Sequence, residues 1–460
     1  MPFFVAAGLA AGCAGNRAGV VTALDGVLAP DALKSTLTHR FCGARADAGC
    51  AQRAGEVAGD VRTFYSSRGG EPVWVNGKAP GSAATIALAA LGRAREHGLD
   101  AESYGAKALE DEAGRLSRSH DASSATPDDL ARFDIDLTAA LFALGRDVAV
   151  GRSGPAPAGV GGRHRTAPDL VAHFASVLDE GDFAAWPDDV RPAHPQYAAL
   201  QAELARVQGD PSNARIKTLA LNLERWRHMP DDLGARYVIV NIPAFHLYVY
   251  EGTSPVLDSR VIVGRRGDET PVFSADMTTV VFSPYWNIPD SIAEGETLPS
   301  IIKNPAYLAK NNIEVLRRSG GSVEKIDPSK IDWSNDSETA DISLRQRPGP
   351  GNALGHIKFL FPNKNNVYIH DTPTHNLFEK NGRAFSHGCV RLQDPMEFAR
   401  YVLRDDLKWT DDAIRKAMDS GDERAVKLSQ VLPVHLVYFT AWADSSGTVT
   451  YMDDVYGRDL

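Results

Sequence analysis

Tyr368-Ile369-His370-Asp371-Thr372-Pro373 and, a little further on, Phe385-Ser386-His387-Gly388-Cys389-Val390-Arg391 are the two pieces of sequence on which the reading of this chain turns. They set Cys389 in a Ser-His-Gly-Cys turn and put a second histidine, His370, upstream of it. A cysteine nucleophile acts as a thiolate, and a neighbouring imidazole is the usual means of making one near neutral pH. Gly388 ahead of the cysteine lets the backbone approach a substrate carbonyl, where amides of the turn can serve as oxyanion donors. Spacing alone leaves both His370 and His387 open as the base, although a residue two before the nucleophile reaches its sulfur only in a tight turn. Tyr368, two before His370 in an extended segment, faces the same side as that histidine and either lines the cleft or packs. Ser386 fixes the turn or a histidine tautomer through its hydroxyl. Arg391 offers a fork of donors to a substrate carboxylate; the alternative is an internal salt bridge. Asp371 beside His370 invites a metal reading, which fails because no further His, Asp or Glu follows at ligand spacing. The site is expected to use no metal and no cofactor.

A histidine followed after a short gap by Ser/Thr-His-Gly-Cys resembles the signature of the L,D-transpeptidase (YkuD) catalytic domain. The run from Arg345 to Gly355, together with Asn287-Ile288-Pro289 and Arg225-Trp226-Arg227, resembles the large periplasmic YcbB-type subgroup. The resemblance implies that Cys389 is the nucleophile, His370 the base, and Ser386, His387 and Gly388 the supporting turn. It implies an α+β fold: an N-terminal helical scaffold region, then a mostly β catalytic domain with an inserted capping subdomain. One departure stands out. The subgroup usually carries a peptidoglycan-binding module ahead of Arg-Trp-Arg, and here only Gly209 to Ala214 separates that segment from the preceding helix.

Bulk properties bound the rest. The 460 residues are enough for two or three domains. The 49 basic and 59 acidic residues leave a net charge of −10, which excludes a general nucleic-acid binder with its basic footprint. The uncharged, apolar run Met1 to Gly12 ending at Cys13 resembles a lipoprotein signal, with Cys13 as the lipidated residue; an ordinary secretory leader is the alternative. Cys42 and Cys50 can close a small disulfide loop in an oxidising compartment, or stand as two free thiols on a short helix. The expected location is periplasmic, exported, with a lipid anchor in the membrane.

Along the chain, residues 1–25 read as leader and tail, 26–230 as the helical scaffold, 231–415 as the catalytic domain with 286–345 as the capping insertion, and 416–460 as a closing hairpin. Thr85 to His97 reads as a helix with an apolar stripe of Ile86, Ala89, Ala90 and Leu91, stopped by Gly98. Thr126-Pro127-Asp128-Asp129 is a helix start with a capping hydroxyl, proline in the first turn and acids at the positive end; Leu130, Phe133, Leu137, Leu141 and Leu144 then mark a buried face. Pro168 to Leu178 and Tyr197 to Val207 read as shorter helices, and Trp74 as core. From Arg236 the period becomes alternating. Tyr237 to Ile242 and Phe245 to Tyr250 form a hairpin turned at Pro243-Ala244. Val256 to Val263, Thr278 to Phe282, His356 to Phe361 and Asn366 to His370 are further strands, and Met396 to Leu403 a helix. Pro433 to Trp442 and Thr448 to Met452 close the chain.

The function the resemblance implies is acyl transfer on peptidoglycan stem peptides. The Cys389 thiolate attacks the carbonyl of a diamino acid, D-Ala leaves, and the thioester passes to an amine of a second stem, giving a 3→3 cross-link; carbapenem-type β-lactams acylate such a site. Water as acceptor makes the same site an L,D-carboxypeptidase, and a lipoprotein lysine makes it an attachment or detachment enzyme. A cysteine peptidase and a non-catalytic wall-binding protein are the rival classes. Other cell-wall synthesis proteins are the remaining candidate partners.

Overall fold

The structure, a computed structural model, describes residues 19–42, 48–118, 125–152, 159–161, 165–181, 183–210, 212–319 and 322–459. Cys13 lies outside them. The chain divides into two compact units, one of residues 1–231 with 440–451 and 459, the other of 232–439 with 452–458 and 460.

The first unit is helical: α1 (Pro30–Cys42), α2 (Ala48–Ser67), α3 (Ser82–Gly92), α4 (Ala106–Arg118), α5 (Pro127–Val150), α6 (Leu170–Glu180), α7 (Pro195–Val207) and α8 (Arg215–Arg227). A disulfide joins Cys42 to Cys50, with Cα atoms 5.9 Å apart, and so ties α1 to α2. Helix α5 starts where its composition says it should. Thr126 accepts from the Asp129 amide while the Asp129 carboxylate accepts from the Thr126 amide, a reciprocal cap of the kind worth about 1 kcal/mol. Leu130, Leu137, Leu141 and Leu144 are fully buried, and Phe64, Phe142, Phe174 and Trp186 pack edge-to-face beside them. Trp74 is buried, as its place in the sequence suggests.

Two readings shift. The expected helix from Thr85 to His97 is α3 followed by a 3₁₀ turn, Arg93–His97, and its buried face is Ala84, Ala87, Ala90 and Leu91, with Ile86 exposed. Small residues let α3 lie close to its neighbours, and this moves the stripe by a fraction of a turn. The stop at Gly98 holds: φ is +69°, and a Cβ there would meet Ala220 of α8 at 2.7 Å. Helices α7 and α8 are joined by residues 208–214 alone.

The second unit is built on a nine-stranded sheet. Its strands are β1 (Arg236–Asn241), β2 (His246–Glu251), β3 (Ser254–Gly264) and β4 (Phe273–Phe282), then, after an insertion, β9 (Ile357–Leu360), β10 (Ile369–His370), β11 (Ala384–Ser386), β12 (Val390–Leu392) and β13 (Arg424–Val437). The order is β11-β3-β12-β10-β9-β4-β13-β1-β2, and β3 also pairs with β2, so the sheet closes on itself and hides most of its edges. Alternation along the strands puts Val238, Val240, Leu247, Val249, Val261, Val263, Val280, Phe282, Ile357, Phe359, Ile369, Val390 and Leu392 into one core, which α9 (Pro395–Leu403) covers with Phe398 and α10 (Asp411–Met418) with Ile414.

The insertion carries its own sheet, β5 (Trp286–Asn287), β6 (Ile313–Ser319), β7 (Ser322–Lys325) and β8 (Ile342–Gln346), in the order β5-β8-β6-β7. Its separate small core is Ile288, Ile301, Leu308, Val315, Ile331 and Leu344. Strand β13, fourteen residues long, runs between β4 and β1 and begins well before Pro433. After it the chain enters the first unit as the hairpin β14 (Ala441–Ala443) and β15 (Val449–Tyr451).

Candidate active site

Register decides which side chains meet. Strand β10 pairs in parallel with β12, Ile369 opposite Val390 and His370 opposite Arg391, and antiparallel with β9, Lys358 opposite His370. Residues in register share a face. Ile369, Val390 and Phe359 point into the core, so Lys358, His370 and Arg391 stand in a row on the other face. Cys389 and Tyr368, each two residues from a member of that row, join it. The expected strand from Asn366 shrinks to Ile369–His370 because Asn363 folds the preceding loop: its side-chain amide donates to the Phe361 and Val367 carbonyls, and Asn366 sits at φ +54°.

The His370 imidazole is held by its own neighbour. Its Nδ1 is 2.5 Å from the carbonyl oxygen of Asp371. A carbonyl only accepts, so Nδ1 carries the proton and Nε2 is left with the lone pair. Asp371 is held in turn: its carboxylate accepts from the amides of His356 (2.8 Å) and Thr372 (2.7 Å). The carboxylate packs so closely on Gly355, at φ +61°, that a Cβ there would collide with it. The aspartate that looked like a metal ligand is thus occupied with backbone. Burial, then the charge of Arg391 and of Lys358, lowers the pKa of His370 to about 3, against the hydrogen bond to Asp371 that raises it.

Cys389 is half-buried. Its Sγ lies 3.9 Å from the Asn366 carbonyl. Burial pushes the thiol up, while hydrogen bonds from the Tyr368 backbone and hydroxyl and the charge of Arg391 pull the other way. The rings of Tyr368 and His370 meet edge-on with centroids 5.6 Å apart. A neutral thiol therefore rests on the same face as a neutral imidazole whose basic nitrogen is free of the Asp371 contact.

The turn before the cysteine is pinned from both sides. Ser386 Oγ donates to the Cys389 carbonyl at 2.5 Å and accepts from the Gly388 amide at 3.2 Å, so the serine fixes the turn rather than a histidine. Gly388 has φ +105°, a conformation that favours glycine. Its carbonyl accepts from Thr270 Oγ1, which accepts in turn from the Gly264 amide. His387, the other candidate base, is turned to different partners: its Nε2 lies 2.9 Å from Glu296 of the insertion and 3.0 Å from Arg265. His356, His375 and His228 contact Met418, Asp371 and Glu224 respectively. Lys358, Asp371, Gly355, Thr270 and Glu296 are the site residues that the sequence reading did not single out for these roles. Lys358 could have been found from strand alternation once its partner strand was known.

A half-buried thiol in a glycine turn, with an oriented imidazole on the adjacent strand, is the arrangement that cysteine-dependent acyl transfer requires. Comparison with known proteins supports a transpeptidase. The family model of the L,D-transpeptidase (YkuD) catalytic domain matches residues 235–419, and that of a scaffold domain matches residues 59–204. Over 241 residues the chain is 34% identical to a Haemophilus influenzae protein named "Putative L,D-transpeptidase", covering 52% of this chain and 48% of that one. A shorter similarity, 26% over 104 residues, is to Epoxide hydrolase 1 of Sus scrofa, covering 23% of this chain and 22% of that one. The chain thus spans about half the length of the first relative and under a quarter of the second. The chain carries an L,D-transpeptidase (YkuD) catalytic domain, with a scaffold domain ahead of it.

Proposed function

We propose that this protein is an L,D-transpeptidase that forms 3→3 cross-links between peptidoglycan stem peptides through a thioester on Cys389. His370 Nε2 takes the thiol proton as sulfur attacks the diamino-acid carbonyl of a tetrapeptide donor. The Cys389 amide and the Tyr368 hydroxyl are the proposed oxyanion donors. As the C–N bond to D-Ala breaks, the imidazolium returns its proton to the leaving amine. The side-chain amine of a second stem then attacks the thioester, His370 accepts its proton, the C–S bond breaks and the thiol re-forms. The observation that supports this reading is the committed Nδ1 of His370. It leaves Nε2 as the base on the face that Cys389 shares.

Intact-mass spectrometry after incubation with purified tetrapeptide muropeptides tests it. Wild type is expected to lose D-Ala and give dimers, with Cys389→Ala and His370→Ala each at least about a thousand-fold slower. Trimming without dimers makes water the acceptor, and no change in any sample removes the enzymatic reading. We further propose an exported, lipid-anchored location. The Cys42–Cys50 bond supports export, since disulfides persist in oxidising compartments. Cell fractionation of wild type and Cys13→Ala checks both parts: cytoplasmic wild-type protein, or a variant still in the membrane, would count against them.

A further inference from the structure

The row Lys358–His370–Arg391 is unusual in its charge balance. Two cations flank the imidazole in register on adjacent strands, and they are not equivalent. Lys358 Nζ lies 3.7 Å from Glu423 and 3.3 Å from the Tyr285 carbonyl. Among the described residues Arg391 has only a 3.4 Å hydrogen bond to the Thr374 hydroxyl, and its buried Nε has no hydrogen-bond partner. Among the described residues no carboxylate lies within ion-pair distance of it. Burial depresses its pKa and only Cys389 offsets this, yet a guanidinium stays charged. Leaving such a charge half-buried and unpaired is costly, so a carboxylate that arrives there recovers a strong forked interaction.

The other groups around His370 leave that role to a ligand. Tyr368 shares its strand, Cys389 lies on the turn before β12, and Glu423 is paired with Lys358. The Asp371 carboxylate is turned to the His356 and Thr372 amides. None of these neutralises Arg391.

We propose that Arg391 is the specificity-determining residue of this site: it recognises a free carboxylate on the donor stem peptide, and that pairing cancels Arg391's share of the positive field at His370, the base for the Cys389 proton. The inference rests on the transpeptidase reading for the reaction, although the recognition step stands without it. Substrate binding and base activation are one event: a donor without the carboxylate leaves the imidazole between two cations. Arg391 thus contacts the donor directly, and its effect on the proton transfer reaches Cys389 through His370. The D-Ala terminus and the side chain of the diamino acid are two sources of the same chemistry.

The test uses three synthetic donors, the free tetrapeptide, its D-Ala amide and its diamino-acid amide, with wild type, Arg391→Gln and Arg391→Lys. For wild type, kcat/KM is expected to fall roughly 30-fold or more with the amide that removes the recognised carboxylate, and little with the other, which identifies the source. Arg391→Gln should treat all three donors alike, and Arg391→Lys should recover part of the discrimination. The pH profiles separate activation from packing. The acid limb of kcat/KM reports the free enzyme and that of kcat the complex. In wild type the kcat limb should lie at higher pH, because the bound carboxylate cancels Arg391. In Arg391→Gln the two limbs should coincide, with the free-enzyme limb moved upward. Coincident limbs in wild type, or equal rates with all donors, overturn the proposal. Calorimetry on Cys389→Ala covers the case in which no turnover occurs. Tighter binding of the free acid than of one amide keeps the recognition and discards only the transferase reading, whereas equal binding overturns the recognition.

Discussion

The two units both bury charge, and they treat it in opposite ways. In the helical unit each large buried charge is met. The Asp134 carboxylate accepts from the Tyr65 hydroxyl and from the amides of Val73, Trp74 and Val75. Asp147 takes Arg53 and the Tyr104 hydroxyl. Arg227, fully buried, donates to Glu224 at 2.7 Å, to the Tyr197 hydroxyl and to the His97 carbonyl, and Arg225 pairs with Asp459. On the catalytic face, no carboxylate among the described residues pairs with Arg391, and the Cys389 thiol lies 3.9 Å from the Asn366 carbonyl. Where partners are complete the polar groups hold the fold to one arrangement; where one is missing, a charge is left for a ligand to meet.

Breaking a complete network should therefore cost stability, and altering the incomplete one should cost activity. The largest effect is expected from Arg227→Ala, which takes the guanidinium from Glu224 and the His97 carbonyl and should lower unfolding free energy by about 3–5 kcal/mol, read from denaturant midpoints. Arg391→Gln should leave that midpoint within about 1 kcal/mol of wild type or raise it, while turnover falls. A loss as large as that of Arg227→Ala would erase the contrast.

Acid sharpens the same comparison. Against the desolvation that raises it, the His228, Arg227 and Arg152 contacts hold the Glu224 pKa down to about 2 from 4.5. A depressed carboxylate contributes stability that is present above pH 4.5 and lost as pH falls toward 2. The stability gap between wild type and Glu224→Gln should be constant above pH 4.5 and close below it; a gap that persists at pH 2 contradicts the assignment. On the catalytic side, a raised thiol beside a lowered imidazole predicts that alkylation of Cys389 by iodoacetamide reaches its midpoint at higher pH than that of an ordinary exposed thiol. A plateau from pH 5 would mean a preformed thiolate–imidazolium pair. The smallest effect is expected at His387. Its ring is held by Glu296 and Arg265, so His387→Asn should slow turnover by about ten-fold or less, and a loss equal to that of His370→Ala would reverse the roles of the two histidines.

Much of the site was legible before any coordinates. Cys389 in its glycine turn follows from residue type, the preference for His370 over His387 came from the family resemblance, and Ser386 behaves as a turn serine. Helix α5 was readable from Thr126 and its leucines because a cap and a buried stripe are local signals. Strand β13 was not, since in its largely exposed first half only Val426 and Leu428 alternate with polar neighbours, too short a run to mark a strand. The stripe of α3 slipped because alanine is as common on an exposed helix face as on a buried one.

The chain alone determined the reactive groups, the conformation of the turn that presents one of them, and the switch from helical to alternating period near Arg236. Those depend on neighbours within a few residues. Three matters were decided only in the folded molecule. The Asp371 carboxylate accepts from the His356 amide. His387 turns to the insertion. Lys358 and Arg391 come to stand on either side of the imidazole. Each is a pairing between strands or segments far apart in sequence, and a shift of one residue in register would have turned those side chains into the core.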